Sequence, residues 1–249
     1  MTPELSIVVP VFNEPDNIGP TLRRIRGEVR TPHEVLVVYD FDADTTLPVV
    51  RELQAEMPEV RLHRNELGRG VLKAMRAGMA AAKAPLVLIS MADGSDEMDR
   101  VDEMVSLGRE GAAVVAASRY MKGGGQVGGP LLKRVLSRMA GLSLHWFAGV
   151  PIHDATNNFK LYRRDFLESV TIESTGGFEL ALELTAKASR AGKPMAEIPT
   201  TWRDRAAGES NFKLRAWLPR YLRWYLYAVG VRRTGRLPRS RKSRLPTNG

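Results

Sequence analysis

The sequence predicts an α/β fold, a mostly parallel sheet flanked by helices, and three observations carry that expectation. Short β-branched apolar runs alternate with helix-length amphipathic segments, and the early runs end in polar turns. The composition, 43% hydrophobic and 26% charged over 249 residues, is that of a globular chain and excludes disorder, collagen and coiled coil. Strands alternating with helices lie parallel because each helix carries the chain back across a face of the sheet.

Leu5 to Val11 reads as a buried strand, followed by the turn Phe12-Asn13-Glu14-Pro15-Asp16 and a helix capped by Asn13 or Asp16. The pattern repeats: a strand over 35–39, an acidic turn at 40–44, a helix near 46–57 and a strand over 60–64. A helix near 70–83, a strand over 86–90, an acidic turn at 93–99, a helix near 99–109 and a strand over 112–117 complete a Rossmann-like α/β sandwich.

Beyond Ser118 the rhythm changes. Gly123-Gly124-Gly125, Gly128-Gly129 and Pro130 predict a loop able to order around a ligand, before an amphipathic run from Leu131 to about Phe147. A strand over 158–162, a helix near 177–191, a strand near 195–202, a turn at 205–211 and an aromatic, basic helix near 212–229 follow. The chain therefore divides into a single ligand-binding domain over 1–212, an amphipathic helical extension over 213–231 and a basic tail over 232–249 expected to be disordered.

Charge is unevenly placed. The net charge is +9, yet from Lys213 onward there are eleven Lys or Arg and no Asp or Glu; the totals of 37 basic and 28 acidic residues leave 26 against 28, net −2, before it. There is no Cys, which removes disulfides, thiolate metal sites and a Cys nucleophile. The longest uncharged apolar segment at the basic end, Trp224 to Val231, is flanked by Arg223 and Arg232 and falls far short of the roughly 18 residues that span a bilayer. The N-terminus lacks a signal-peptide pattern, so a cytoplasmic address is expected.

Three turns at the carboxyl ends of predicted strands are acidic: Asn13-Glu14, the run Asp40 to Asp44, and Asp93 to Asp96. Ligands of open parallel sheets bind at that edge. N-capping explains any single Asp there, but not acids on three strands together. Carboxylates gathered at one edge repel each other unless a cation or donors intervene, and hard oxygen ligands suit Mg²⁺ or Mn²⁺ carrying a diphosphate. Gly68-Arg69-Gly70 lacks the spacing of a phosphate loop and reads as a tight connection. The four His show no metal-ligand spacing; His153, beside Asp154, is the one in a polar segment.

The motifs V-V-P-V-F-N-E (8–14), V-V-Y-D-F-D-A-D-T-T (37–46), N-E-L-G-R-G (65–70), A-D (92–93), A-S-R-Y-M-K-G-G (117–124), L-K-R-V-L-S-R (132–138), F-K-L-Y-R-R (159–164) and R-A-A-G-E-S-N-F (205–212) occur in the order and at the spacing of one family. They resemble inverting GT-A glycosyltransferases of family 2, most of all the polyprenol-phosphate (dolichyl-phosphate) mannosyltransferase branch. The resemblance implies a GT-A fold and a nucleoside diphosphate sugar as donor, GDP-linked in preference to UDP-linked. It makes Pro10, Phe12, Glu14, Asp40, Asp42, Arg69, Ala92 and Asp93 nucleotide-binding positions, with Asp93 the ligand of Mn²⁺ or Mg²⁺. Ser118, Arg119, Lys133, Arg134, Ser137, Arg138, Arg205, Ser210 and Asn211 become the positions that hold an acceptor phosphate or the departing diphosphate.

The sequence departs from the family at Met91, where D-x-D becomes Met91-Ala92-Asp93 and one metal ligand is missing, which leaves two readings: Asp93 shares the cation with diphosphate oxygens, water and Asp96, or the metal is bound weakly. It departs again at Tyr39-Asp40-Phe41, which places two aromatics around the base-contacting Asp40. A lipid phosphate acceptor is already a nucleophile; a hydroxyl acceptor needs a base, for which Asp154 is the candidate beside Asp93 and Arg119 as catalytic groups. Two other classes stay open at this level: a nucleotide-sugar mutase or hydrolase that uses no separate acceptor, and a non-catalytic binder that has lost its metal. The aromatic and basic helix near 212–229 suits packing on the core, an anionic membrane surface at the inner face, or a homodimer contact. No nucleic-acid motif accompanies its Arg residues, and no nucleic-acid partner is expected.

Overall fold

A computed structural model describes residues 2–128, 131–203 and 214–230, without the side chains of 131–133 and 214–217. The first half is built as expected: β1 (Leu5–Pro10), α1 (Pro15–Glu28), β2 (His33–Tyr39), α2 (Thr46–Gln54), β3 (Val60–Arg64), α3 (Val71–Ala81), β4 (Leu86–Ile89), a 3-10 turn (Met98–Arg100), α4 (Val101–Arg109) and β5 (Val114–Ser118). The second half adds β6 (Gly125–Val127), α5 (Leu131–Ala148), β7 (Lys160–Arg163), α6 (Arg164–Ser169), α7 (Leu180–Arg190), β8 (Met195–Pro199), β9 (Thr201–Arg203) and α8 (Leu214–Val229).

Seven strands form one sheet in the order β3-β2-β1-β4-β7-β5-β8, all parallel except β7, which runs antiparallel between β4 and β5. Strand alternation sends Leu5, Ile7 and Val9 to a core shared with α1, α2 and α4. Val8, Leu36 and Val38 face the other way, into a core with α3, α6 and α7. A third cluster joins Leu144 of α5 and Trp224 of α8 to Leu182 of α7, stacking the last long helices outside α7. The C-terminal helix is thus attached to the domain by a buried Trp, in line with the core-packing expectation for part of its surface.

Two expectations need correction. The N-cap position of α1 is Glu14, with no side-chain cap bond; Asn13 instead takes a left-handed φ of 52°, and its Oδ1 accepts from Thr45 N at 3.1 Å. Asn tolerates that region because its short polar side chain bonds locally. The strand expected near 195–202 is two strands: β8 joins the main sheet, while β9 pairs in parallel with β6 of the Gly-rich loop.

Candidate active site

The carboxyl ends of β1, β2 and β4 are tied together by the backbone. Val11 N donates to Val38 O at 2.9 Å, and Ser90 N donates to Val8 O at 3.0 Å. Thr21 Oγ1 of α1 donates to Ala92 O at 2.9 Å. The three acidic turns foreseen from the sequence therefore share one edge, where Pro10 is buried and Phe12 is 58% exposed.

Each carboxylate in that edge has a distinct task. Asp44 Oδ1 accepts from Asn13 N and from Thr46 N, the first amide of α2, so it ties that helix to the first turn. Asp40 accepts from Asn65 Nδ2 and from Gly70 N, both at 2.7 Å, which pins the Gly68-Arg69-Gly70 turn beside it. Arg69 lies over the Phe41 ring at 4.9 Å, and Phe41 meets Phe12 edge-on with centroids 5.7 Å apart. Two aromatics, a guanidinium and a carboxylate thus converge, a surface suited to stacking a base and binding its donors. Glu14 accepts from Asn17 Nδ2 at 2.7 Å. Asp42 departs from expectation: it is an exposed partner of Arg64 at 3.1 Å rather than part of the converging set.

The turn after β4 orients Asp93. Its Oδ1 accepts from the Ser95 hydroxyl at 2.6 Å and from Ser95 N at 3.2 Å. Asp96 is a correction, because it turns inward, accepting from Ser90 Oγ and Met91 N at 2.9 Å each. Burial pushes its carboxyl up to about 7, against those two bonds, so it braces the turn rather than joining Asp93. Among the described residues there is no group of three His, Asp or Glu able to hold a metal. Asp93 alone matches the way Mg²⁺ is commonly held, by one or two carboxylates together with substrate phosphates and water. The residues thus fit a cation that arrives with a diphosphate.

A second, cationic half lies beyond β5. Arg119 forms a bidentate pair with Asp154, Nε to Oδ2 at 2.7 Å and Nη2 to Oδ1 at 3.0 Å. Arg119 Nη2 also reaches Ser137 Oγ and Thr156 Oγ1, and Tyr120 OH donates to Ser137 at 2.7 Å. The Ser118 hydroxyl is fully buried and accepts from Met121 N. Arg134 and Arg138 flank Ser137 on α5, one turn apart. Arg205, Ser210 and Asn211 lie outside the described residues, as does the side chain of Lys133.

Asp154 does not suit the role of base. Burial alone raises a carboxyl, yet the Arg119 charge and hydrogen bonds, with Lys160 nearby, hold Asp154 down at about 2. It stays ionised and engaged. Lys160 is the residue sequence reasoning missed: fully buried on β7, its Nζ donates to Asp154 O at 2.9 Å and Asn157 O at 2.5 Å. A lone Lys in the apolar run Phe159-Lys160-Leu161-Tyr162 was the available signal. His153 accepts a structural part, with Nδ1 2.5 Å from Glu197 Oε1 and its ring stacked 4.0 Å from that of His145.

An open, mostly parallel sheet with an acidic edge at three strand ends and an Arg-rich half beside it has the layout of an α/β domain that takes its ligand at the carboxyl ends of the strands. The chain belongs to glycosyl transferase family 2, whose model matches residues 6–171, and it is a glycosyltransferase. It is 28% identical over 246 residues to the polyprenol monophosphomannose synthase of Mycolicibacterium smegmatis, covering 94% of this chain and 89% of that one. It is 30% identical over 210 residues to the undecaprenyl-phosphate mannosyltransferase of Micrococcus luteus, covering 82% and 85%. Among solved structures, glucosyl-3-phosphoglycerate synthase of Mycobacterium tuberculosis, in complex with Mn²⁺, UDP and phosphoglyceric acid, superposes with a TM-score of 0.64. That likeness, at 18% identity over 93% of this chain and 80% of the other, is one of fold, and the GT-A architecture expected from the sequence is the one found.

Proposed function

We propose that the protein transfers a mannose-like hexose from a GDP-sugar to a polyprenyl phosphate, inverting the anomeric centre. The observation that carries this reading is the pairing of Asp154 with Arg119. The carboxylate that the sequence offers as a base for a hydroxyl acceptor is held ionised and engaged by Arg119, whereas a phosphate monoester attacks without a base. From Gly111 to His153 the chain has Arg119, Lys122, Lys133, Arg134 and Arg138 and no acid, a composition suited to an anionic acceptor. The mannosyltransferase names of the two relatives above support the same acceptor class.

In the donor half, Phe12 and Arg69 with Phe41 hold the base, and Asp40 selects it. Guanine offers adjacent N1–H and N2–H donors, which match the remaining lone pairs of a carboxylate; uracil offers one N–H between two carbonyls. Asp93 holds the cation shared with the diphosphate. When bound, Mn²⁺ or Mg²⁺ offsets the charge that builds on the leaving diphosphate. Arg134 and Arg138, on the stripe of α5 next to Ser137, hold the acceptor phosphate, and Arg119 fixes the position of that stripe through Ser137. Because polyprenyl phosphates reside in bilayers, the protein works at a membrane surface.

The test is transfer of labelled mannose from GDP-mannose, with Mn²⁺ or Mg²⁺, to a polyprenyl phosphate and, in parallel, to the matching polyprenol. Label entering the organic phase only with the phosphate supports the reading. Transfer to the alcohol alone, or a new nucleotide-linked sugar without acceptor, contradicts it.

A further inference from the structure

Thr200 is buried at the junction of β8 and β9, and its backbone meets two other segments. Thr200 N donates to Ser118 O, at the end of β5, at 3.0 Å, and Thr200 O accepts from Gly125 N of the Gly-rich loop at 3.0 Å. A third segment joins them through a side chain. Thr200 Oγ1 donates to Glu97 Oε2 at 3.1 Å, and Thr201 N, the first amide of β9, donates to the same oxygen at 2.8 Å. Glu97 stands at the N-cap position of the 3-10 turn yet makes no side-chain cap bond there, so capping does not account for it. Its carboxylate is taken by residues 103 and 104 positions away.

We infer that Glu97 is a positioning residue that sets the Asp93 turn in register with the cationic half beyond β5; the inference rests on the reading of Asp93 as the donor side and of Arg119 and α5 as the acceptor side. The two sides belong to different strands. β4 and β8 are separated in the sheet by β7 and β5, three strand spacings or roughly 14 Å, and the turn after β4 covers that span. Its near part is held to α1: Ala92 O accepts from Thr21 Oγ1, and Gly94 O and Asp96 O both accept from Arg24 Nη1 at 3.2 Å. Its far end is held by Glu97 to Thr200 and Thr201. From Thr200 the path is short, because Ser118 precedes Arg119 and Arg119 N donates to Asp154. Displacement at an anomeric carbon needs the nucleophile in line with the leaving group, and a misplacement of about 1 Å costs about a hundredfold in rate. Glu97 touches neither reactant; it acts on the distance between the segments that hold them.

The experiment pairs kinetics with amide exchange in the full chain for Glu97→Ala, Glu97→Gln and Thr200→Val. Glu97→Ala is expected to lower kcat for transfer from GDP-mannose to polyprenyl phosphate about ten- to a hundredfold, with the acceptor KM and the GDP affinity by calorimetry within about twofold of wild type. Glu97→Gln keeps a carbonyl oxygen for both donors and should stay within about threefold of wild type. Thr200→Val loses only the hydroxyl bond and should fall between the two, and it carries the comparison if Glu97→Ala does not fold. In the protein without substrates, exchange of the Thr201 amide should quicken about tenfold or more in Glu97→Ala and not in Glu97→Gln. Unchanged kcat in Glu97→Ala, a loss that Glu97→Gln does not restore, GDP affinity that falls in step with kcat, or Thr201 exchange indifferent to Glu97 overturns the inference. Exchange that responds as expected in a protein whose wild type leaves polyprenyl phosphate unused would instead count against the acceptor reading alone.

Discussion

Arg119 and Asp154 meet across 35 positions of sequence as a bidentate ion pair, with Asp154 fully buried and Arg119 nearly so. The same carboxylate accepts from Thr156 N, Asn157 N and Arg119 N, so one side chain ties the end of β5 to the turn that leads into β7. Such a pair is costly to break, since either partner alone is a buried charge.

Asp154→Ala is therefore expected to destabilise the fold by about 3 kcal/mol or more, read by chemical denaturation. The wild-type protein has an acid limb with a definite sign. Asp154 sits at about 2 when folded against 3.8 unfolded, so its contribution is complete above pH 4 and lost as the pH falls toward 2. That contribution is about 2 kcal/mol. Asp154→Asn should flatten this part of the stability profile; an unchanged profile would show that the pair is not what sets it.

Asp93→Asn should lower kcat by about a hundredfold or more, as for loss of a group acting on the leaving charge. Met91→Asp supplies a second carboxylate beside it. The expected result is half-maximal activity at a lower Mn²⁺ concentration, measured by titrating the metal at fixed GDP-mannose. Tight metal use that survives Asp93→Asn would place the cation elsewhere.

Phe12→Ala removes an exposed ring and should leave stability within about 0.5 kcal/mol. If the ring stacks on the base, the KM for the donor rises about tenfold with kcat little changed. Calorimetry with GDP gives the same comparison without turnover, and equal affinity in variant and wild type would remove Phe12 from the nucleotide site.

Gly141 lets α5 pass close to the segment before Asp154: a Cβ there would stand 2.3 Å from His153 O. Gly141→Ala should cost about 1–3 kcal/mol through overpacking. It should also depress transfer, because α5 carries Ser137, Arg134 and Arg138. Denaturation and initial rates on the same sample separate the two effects; full stability would mean that α5 shifts freely.

Much of this was legible in the sequence because it is local. The β-branched run Leu5 to Pro10 and the turn after it determine a strand and a helix start whatever surrounds them, and so do their counterparts through β5. The gathering of Asp40 and Asp93 at one edge follows from parallel strands alone. The direction of β7 was not legible, since Lys160–Arg163 has the same apolar pattern read either way and its neighbours β4 and β5 are distant in sequence. Gly125–Val127 read as loop because its partner, Thr201–Arg203, is a remote strand. Asp154 beside His153 suggested a base, and only its 35-residue separation from Arg119, closed by the fold, shows a brace. Asp96 looked like a ligand until Ser90 and Met91 were seen to hold it inward.

The most direct measurement of the central claim is ³¹P NMR of a polyprenyl phosphate incubated with the protein, a divalent cation and GDP-mannose. The phosphomonoester signal is expected to give way to a phosphodiester as GDP appears, with the new mannosyl linkage of opposite anomeric configuration to the donor. A monoester signal that persists while mannose is transferred to a hydroxyl group would contradict it.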